Sequence, residues 1–153
     1  MIKTHFPVLD KILGFFLNLS FVLMIAVVVL QIIARYALPW SPNWTEELAR
    51  FCFIYLVSIG AALAVKDKGY VSVNTFLDRL SPKAKSKMEA IILVLTICLM
   101  FTQFVFSLPL MDIVTLQKSP SLNLNMAFMY GSMAIMGFFV SLYSIFELLK
   151  KFK

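Results

Sequence analysis

The sequence predicts an all-α integral membrane protein with four transmembrane helices and both termini in the cytoplasm. Three observations carry that prediction. The 153 residues are 61% apolar and only 14% charged, with a mean hydropathy of +0.88, well outside the composition of a soluble domain. Four apolar runs, 12–33, 48–65, 91–108 and 126–149, are each long enough to cross a bilayer, for which about 17 to 25 residues are needed. The basic residues lie between these runs and not over a soluble face, so the net charge of +6 points to a membrane surface and not to nucleic acid.

The first run is preceded by Lys3 and Lys11, as a signal peptide would be. It continues for about 33 Å of helix, longer than a signal-peptide core. No A-x-A cleavage pattern follows, so it is expected to stay as a span. Pro39 and Pro42 interrupt any helix beyond it, and Tyr36, Trp40 and Trp44 supply amphipathic rings for the interface. The second run begins within WTEELARF, residues 44–51.

Between the second and third runs, Val73, Phe76, Leu77 and Leu80 recur at i, i+3, i+4 and i+7, the spacing of a short amphipathic helix lying on the membrane. Ser81 and Pro82 then read as the N-cap and first residue of the third helix. From Ser81 to Leu108 that helix would be about 42 Å long and must tilt or protrude. Lys83, Lys85 and Lys87 oppose the dipole of its N-terminus. Attraction to anionic lipid, about 1 kcal/mol per basic residue, outweighs that penalty and makes them lipid-anchor candidates.

Orientation follows from the basic residues. Of the 14 lysines and arginines, only Arg35, Arg50 and Lys118 fall outside the N-terminal segment, the middle loop and the C-terminal tail. The positive-inside rule therefore puts both termini in the cytoplasm and WTEELARF on the outer face. Cys52 and Cys98 would lie about 6 Å below the outer surface and about 10 Å above the inner one. Across a core of about 30 Å they are too far apart for a disulfide.

What is missing narrows the function. His5 is the only histidine and lies in the N-terminal tail, and no C-x-x-C, paired-carboxylate or Gly-rich phosphate signature occurs. These absences argue against an enzyme, a metal site or a bound cofactor. Away from their ends the four runs hold Asn18, Ser20, Gln31, Ser58, Thr96, Thr102, Gln103, Ser132, Ser141 and Ser144, but no ionisable side chain deep in the core. Glu147 comes closest and can pair with Lys150 or Lys151. Proton-coupled transport by this chain alone is disfavoured.

Small residues point to packing. Ser58 with Ala62, and Gly60 with Ala64, make two small-xxx-small pairs in the second run, and Gly131 and Gly137 lighten the fourth. Either the bundle itself or another protein could use them. In WTEELARF, Thr45 is expected to cap the second helix with Glu46 and Glu47 in its first turn. Arg50 is i+4 from Glu46 and i+3 from Glu47, so only one glutamate can pair best with it, leaving the other for a partner. The partner-interface candidates are Arg35, Trp44, Glu46, Glu47, Arg50, Ser58, Gly60 and Ala64.

The chain resembles the small, DctQ-like membrane subunit of tripartite ATP-independent periplasmic (TRAP) transporters. The resemblance is carried by Arg35 and Tyr36 after the first span, WTEELARF, SIGAALAV, KDKGYVSVNTFLDRL, and SPSLNLNMAFMYGSMAIMGFF leading the last span. The tract from Arg35 to Leu80 is its most specific part. It implies a scaffold in the bacterial inner membrane, bound to a large multispan subunit that holds the substrate and sodium sites. A soluble periplasmic protein would deliver an organic acid, a sialic acid or a C4-dicarboxylate. Two other classes stay open: a small oligomeric channel or exporter, and a structural subunit of another membrane complex.

Overall fold

The computed structural model describes residues 7–37, 42–67 and 81–152, without the side chains of Pro82, Lys83 and Phe152. The interfacial helix expected over 73–80 and the belt residue Trp40 lie outside the described residues. Four long helices are present: α1 (Pro7–Ala37), α2 (Asn43–Lys66), α3 (Pro82–Ile113) and α4 (Ala127–Phe152). Each is long and apolar enough to cross a membrane. At 1.5 Å per residue they measure about 47, 36, 48 and 39 Å, so all exceed the hydrocarbon thickness.

The helices outrun the apolar runs by carrying polar and charged residues at their ends. α1 opens on Pro7 and carries Asp10 in its first turn and Arg35 in its last, each complementing the dipole. Ser81 caps α3 as its sequence signals, its hydroxyl accepting from the Ala84 N–H at 3.4 Å. α3 also continues through Pro109 to Ile113 before a 3-10 turn, Val114–Leu116. The expected cap at Thr45 is not formed. α2 starts three residues earlier with extended Pro42 as its N-cap. Thr45 instead donates its hydroxyl back to the Pro42 carbonyl at 2.7 Å and is fully buried.

In space the helices are ordered α1, α2, α4, α3: α1 packs on α2, α2 on α4, and α4 on α3. The core lies along the middle two, built from Leu13 of α1, Ile59, Ala62 and Val65 of α2, and Val140 and Tyr143 of α4. Only 11% of the most apolar stretch of α1, and of α3, is buried, against 28% in α2 and 39% in α4. The flanking helices thus turn most of their apolar surface outward.

Glycine sets the closest approach. A Cβ at Gly137 would sit 2.8 Å from the Met100 carbonyl oxygen and 2.8 Å from the Phe104 nitrogen, so α4 touches the α3 backbone there. At Gly60 the nearest atom would be Leu17 Cδ1 at 3.4 Å, an ordinary contact between α2 and α1.

Candidate functional site

The end of the molecule that carries WTEELARF is built from the N-terminus of α2 and the segment joining α3 to α4. Arg50 Nη2 donates to Glu46 Oε1 at 3.0 Å, and both side chains are well exposed, at 60% and 67%. Glu47 does not take the free role expected of it. Its Oε2 accepts the backbone N–H groups of Ser121 at 3.0 Å and Leu122 at 2.9 Å. The carboxylate is thus engaged within its own chain.

The segment that Glu47 holds is a compact turn. Ser119 N–H donates to the Leu124 carbonyl at 2.8 Å, and Leu124 N–H returns a bond to the Ser119 hydroxyl at 3.2 Å. Asn123 takes the left-handed conformation, φ 53°, which asparagine tolerates in such turns. Asn125 accepts from Ala127 N–H at 2.8 Å at the entry to α4, and Tyr55 donates its hydroxyl to the Phe128 carbonyl at 2.7 Å. A shallow polar groove of about 180 Å³ remains, lined by Asn43, Glu46, Glu47, Arg50, Pro120 and Ser121.

The candidates therefore separate by exposure. Arg35, Trp44, Glu46, Arg50 and Ala64 face outward. Ser58 does not: it is buried, and its hydroxyl donates to the Ile54 carbonyl at 2.8 Å. Gly60 serves the α1–α2 contact through Leu17. The pair Ser58 and Ala62 belongs to the fold, leaving Ala64 as the outward member of the second pair.

The opposite end carries an ionic cluster that periodicity does not reveal. Tyr143 donates its hydroxyl to Asp10 Oδ1 at 2.5 Å, and Lys66 Nζ lies 3.6 Å from Asp10 Oδ2, tying α4 and α2 to α1. Lys151 reaches Glu89 at 2.7 Å, tying α4 to α3. Glu147 pairs with Lys150 at 2.9 Å, as their spacing predicts. The local signal for Asp10 is its place in a first turn; its tyrosine partner lies 133 residues away. Of the lipid-anchor lysines, Lys87 is exposed, Lys85 is half-buried, and the Lys83 side chain is outside the described residues.

Hydroxyls within the helices largely bond their own backbone. Thr96 donates to Ile92, Thr102 to Cys98, Ser132 to Met129 and Ser141 to Gly137, each to the carbonyl oxygen. Gln103 reaches across to the Met133 carbonyl at 3.4 Å. Both cysteines are free.

Comparison with known proteins places these features in a family. The model for the DctQ component of tripartite ATP-independent periplasmic transporters matches residues 24–153. A Haemophilus influenzae protein that carries the name of a TRAP transporter small permease is 28% identical over 148 residues, 95% of this chain and 88% of its own length. The sialic acid TRAP transporter small permease protein SiaQ of Vibrio cholerae is 39% identical over 62 residues, 40% of this chain and 36% of its own. A second Haemophilus influenzae protein of the small permease name is 37% identical over 60 residues, 39% of this chain and 37% of its own. With four helices able to cross a bilayer and a family match running to its last residue, the chain belongs to the DctQ component of TRAP transporters, a multi-pass membrane subunit of a transporter and not an enzyme.

Proposed function

We propose that this chain is the scaffold subunit of a sodium-coupled TRAP importer in the bacterial inner membrane, with both termini cytoplasmic. It supports a large multispan subunit that carries the substrate and sodium, and its outer end helps dock a periplasmic binding protein. The substrate is an organic acid, with a sialic acid ranked ahead of a C4-dicarboxylate. The similarity to the Vibrio cholerae SiaQ protein supports that ranking.

The observation that carries the scaffold reading is the local bonding of the polar side chains within the helices. Ser58, Thr96, Thr102, Ser132 and Ser141 donate to carbonyls of their own helices, and the bound carboxylates lie toward the two ends of the bundle, Glu46 and Glu47 at one and Asp10, Glu89 and Glu147 at the other. A transport pathway requires polar groups near the midplane that are free to meet substrate or ion. The outward faces of α1 and α3 offer instead a broad apolar surface for lipid and a larger membrane subunit.

Reconstitution tests the proposal. Uptake of labelled sialic acid and of a C4-dicarboxylate is measured in proteoliposomes under a sodium gradient, with the proteins encoded beside this chain. Uptake should require this chain, the large subunit and the binding protein together. Substrate-specific uptake by this chain alone would overturn the scaffold reading in favour of a self-sufficient transporter.

A further inference from the structure

A cleft of about 290 Å³ opens between the N-terminal part of α3 and the C-terminal end of α4, lined by Ser86, Lys87, Ala90, Ile91 and Lys151. Its walls divide by polarity along the α3 axis. Ser86 and Lys87 lie at one end, and Ala90 and Ile91 lie one turn further toward the apolar middle of the helix, about 6 Å away. Lys87 is exposed and has no ion-pair partner among the described residues. Lys151 is held in place by Glu89 at 2.7 Å, a contact that occupies one of its three ammonium protons and leaves the others to donate.

We propose that this cleft binds the headgroup and glycerol region of an anionic phospholipid. The phosphodiester sits between Lys87 and Lys151, with Ser86 as a further donor, and the first acyl carbons lie on Ala90 and Ile91. Two cations flanking a concave site, one fixed by a neighbouring helix, match a phosphate better than a diffuse basic surface does. The apolar end argues for a lipid and not a free phosphate, which would leave Ala90 and Ile91 uncovered by anything apolar. Such a lipid would bridge α3 and α4 at the same end as the Glu89–Lys151 pair.

Native mass spectrometry of the full-length chain in detergent tests this without reference to transport. Palmitoyl-oleoyl phosphatidylglycerol, the matching phosphatidylcholine and inorganic phosphate are added separately at equal concentration. The wild type should retain phosphatidylglycerol about five-fold better than phosphatidylcholine. Lys87→Gln should lose that preference, as should Lys151→Gln made together with Glu89→Gln so that no carboxylate is left unpaired. Lys87→Arg and the distant Lys118→Gln should keep it. Unchanged retention in both lysine-removing variants would overturn the site. Binding of inorganic phosphate with no preference between the lipids would overturn the lipid assignment. Circular dichroism checks that each variant remains helical, and either lysine position suffices for the comparison if one variant fails to fold.

Discussion

Replacing Gly137 by alanine puts a methyl group where α4 already touches the α3 backbone. The new carbon would lie 2.8 Å from Met100 O and Phe104 N and 3.0 Å from Phe104 Cα. Ordinary contact begins near 3.4 Å, so the helices must separate by about 0.6 Å, losing dispersion contact along the crossing. Backbone atoms cannot rotate away as a side chain can. Overpacking of this kind costs about 1–3 kcal/mol, while alanine regains about 1 kcal/mol of helix propensity over glycine. The net expectation is a loss of up to about 2 kcal/mol. Gly14 supplies the control, because a Cβ there meets nothing within 4 Å and alanine should show the propensity gain alone. Gly131 sits between, with Met111 Cε at 3.5 Å, and should tolerate alanine. Graded unfolding in SDS, followed by circular dichroism, ranks the three. If Gly137→Ala is as stable as Gly14→Ala, the close crossing of α3 and α4 is wrong.

Three further outcomes follow from the two ends of the molecule. Glu47→Gln should speed amide hydrogen exchange at Ser121 and Leu122, whereas Glu46→Gln should leave those amides unchanged; equal exchange in the two variants would sink the role given to Glu47. Arg50→Glu breaks the exposed pair with Glu46 and should reduce uptake by the reconstituted system with membrane insertion little changed; assembly, docking and uptake at wild-type levels would remove this cluster from the interface. Tyr143→Phe leaves Asp10 without its hydroxyl donor and should destabilise the detergent-solubilised chain by about 1–3 kcal/mol, the cost of stranding a buried polar group. Asp10→Asn should cost less in the Tyr143→Phe background than in the wild type, since the tyrosine bond is already gone and the Lys66 contact is what remains to lose; full additivity would argue against the Tyr143–Asp10 bond.

Local chemistry was the legible part of this molecule. The start of α3 follows from Ser81 and Pro82 because a cap involves only neighbours in sequence, and the four spans follow because hydrocarbon admits only long apolar helices. Thr45 shows how far such reading extends: its residue type suits a cap, but Pro42 takes that place and the hydroxyl turns back to the Pro42 carbonyl. α3 outruns the apolar run 91–108, continuing through Pro109 and Asp112 to Ile113, because a helix is not bound to end where its hydrophobicity does.

Faces and distant partners were not legible. In a helix apolar all round, hydrophobicity does not separate the protein-facing side from the lipid-facing side. Ser58 and Ala64 therefore look equivalent in sequence, though one is buried and the other exposed. Glu47 was read against Arg50, its neighbour on the helix, but it bonds amides 74 and 75 residues away. Nothing in the spacing of WTEELARF could supply that partner.

The order α1, α2, α4, α3 makes the molecule two antiparallel hairpins that share one seam, α2 against α4. Each hairpin can form its own internal contact as it enters the bilayer, so folding has only one long-range step left, the closing of that seam. Asp10, Lys66 and Tyr143 meet across it and fasten the first hairpin to the second. The last-made helix thus completes the joint that the first-made hairpin has been waiting for.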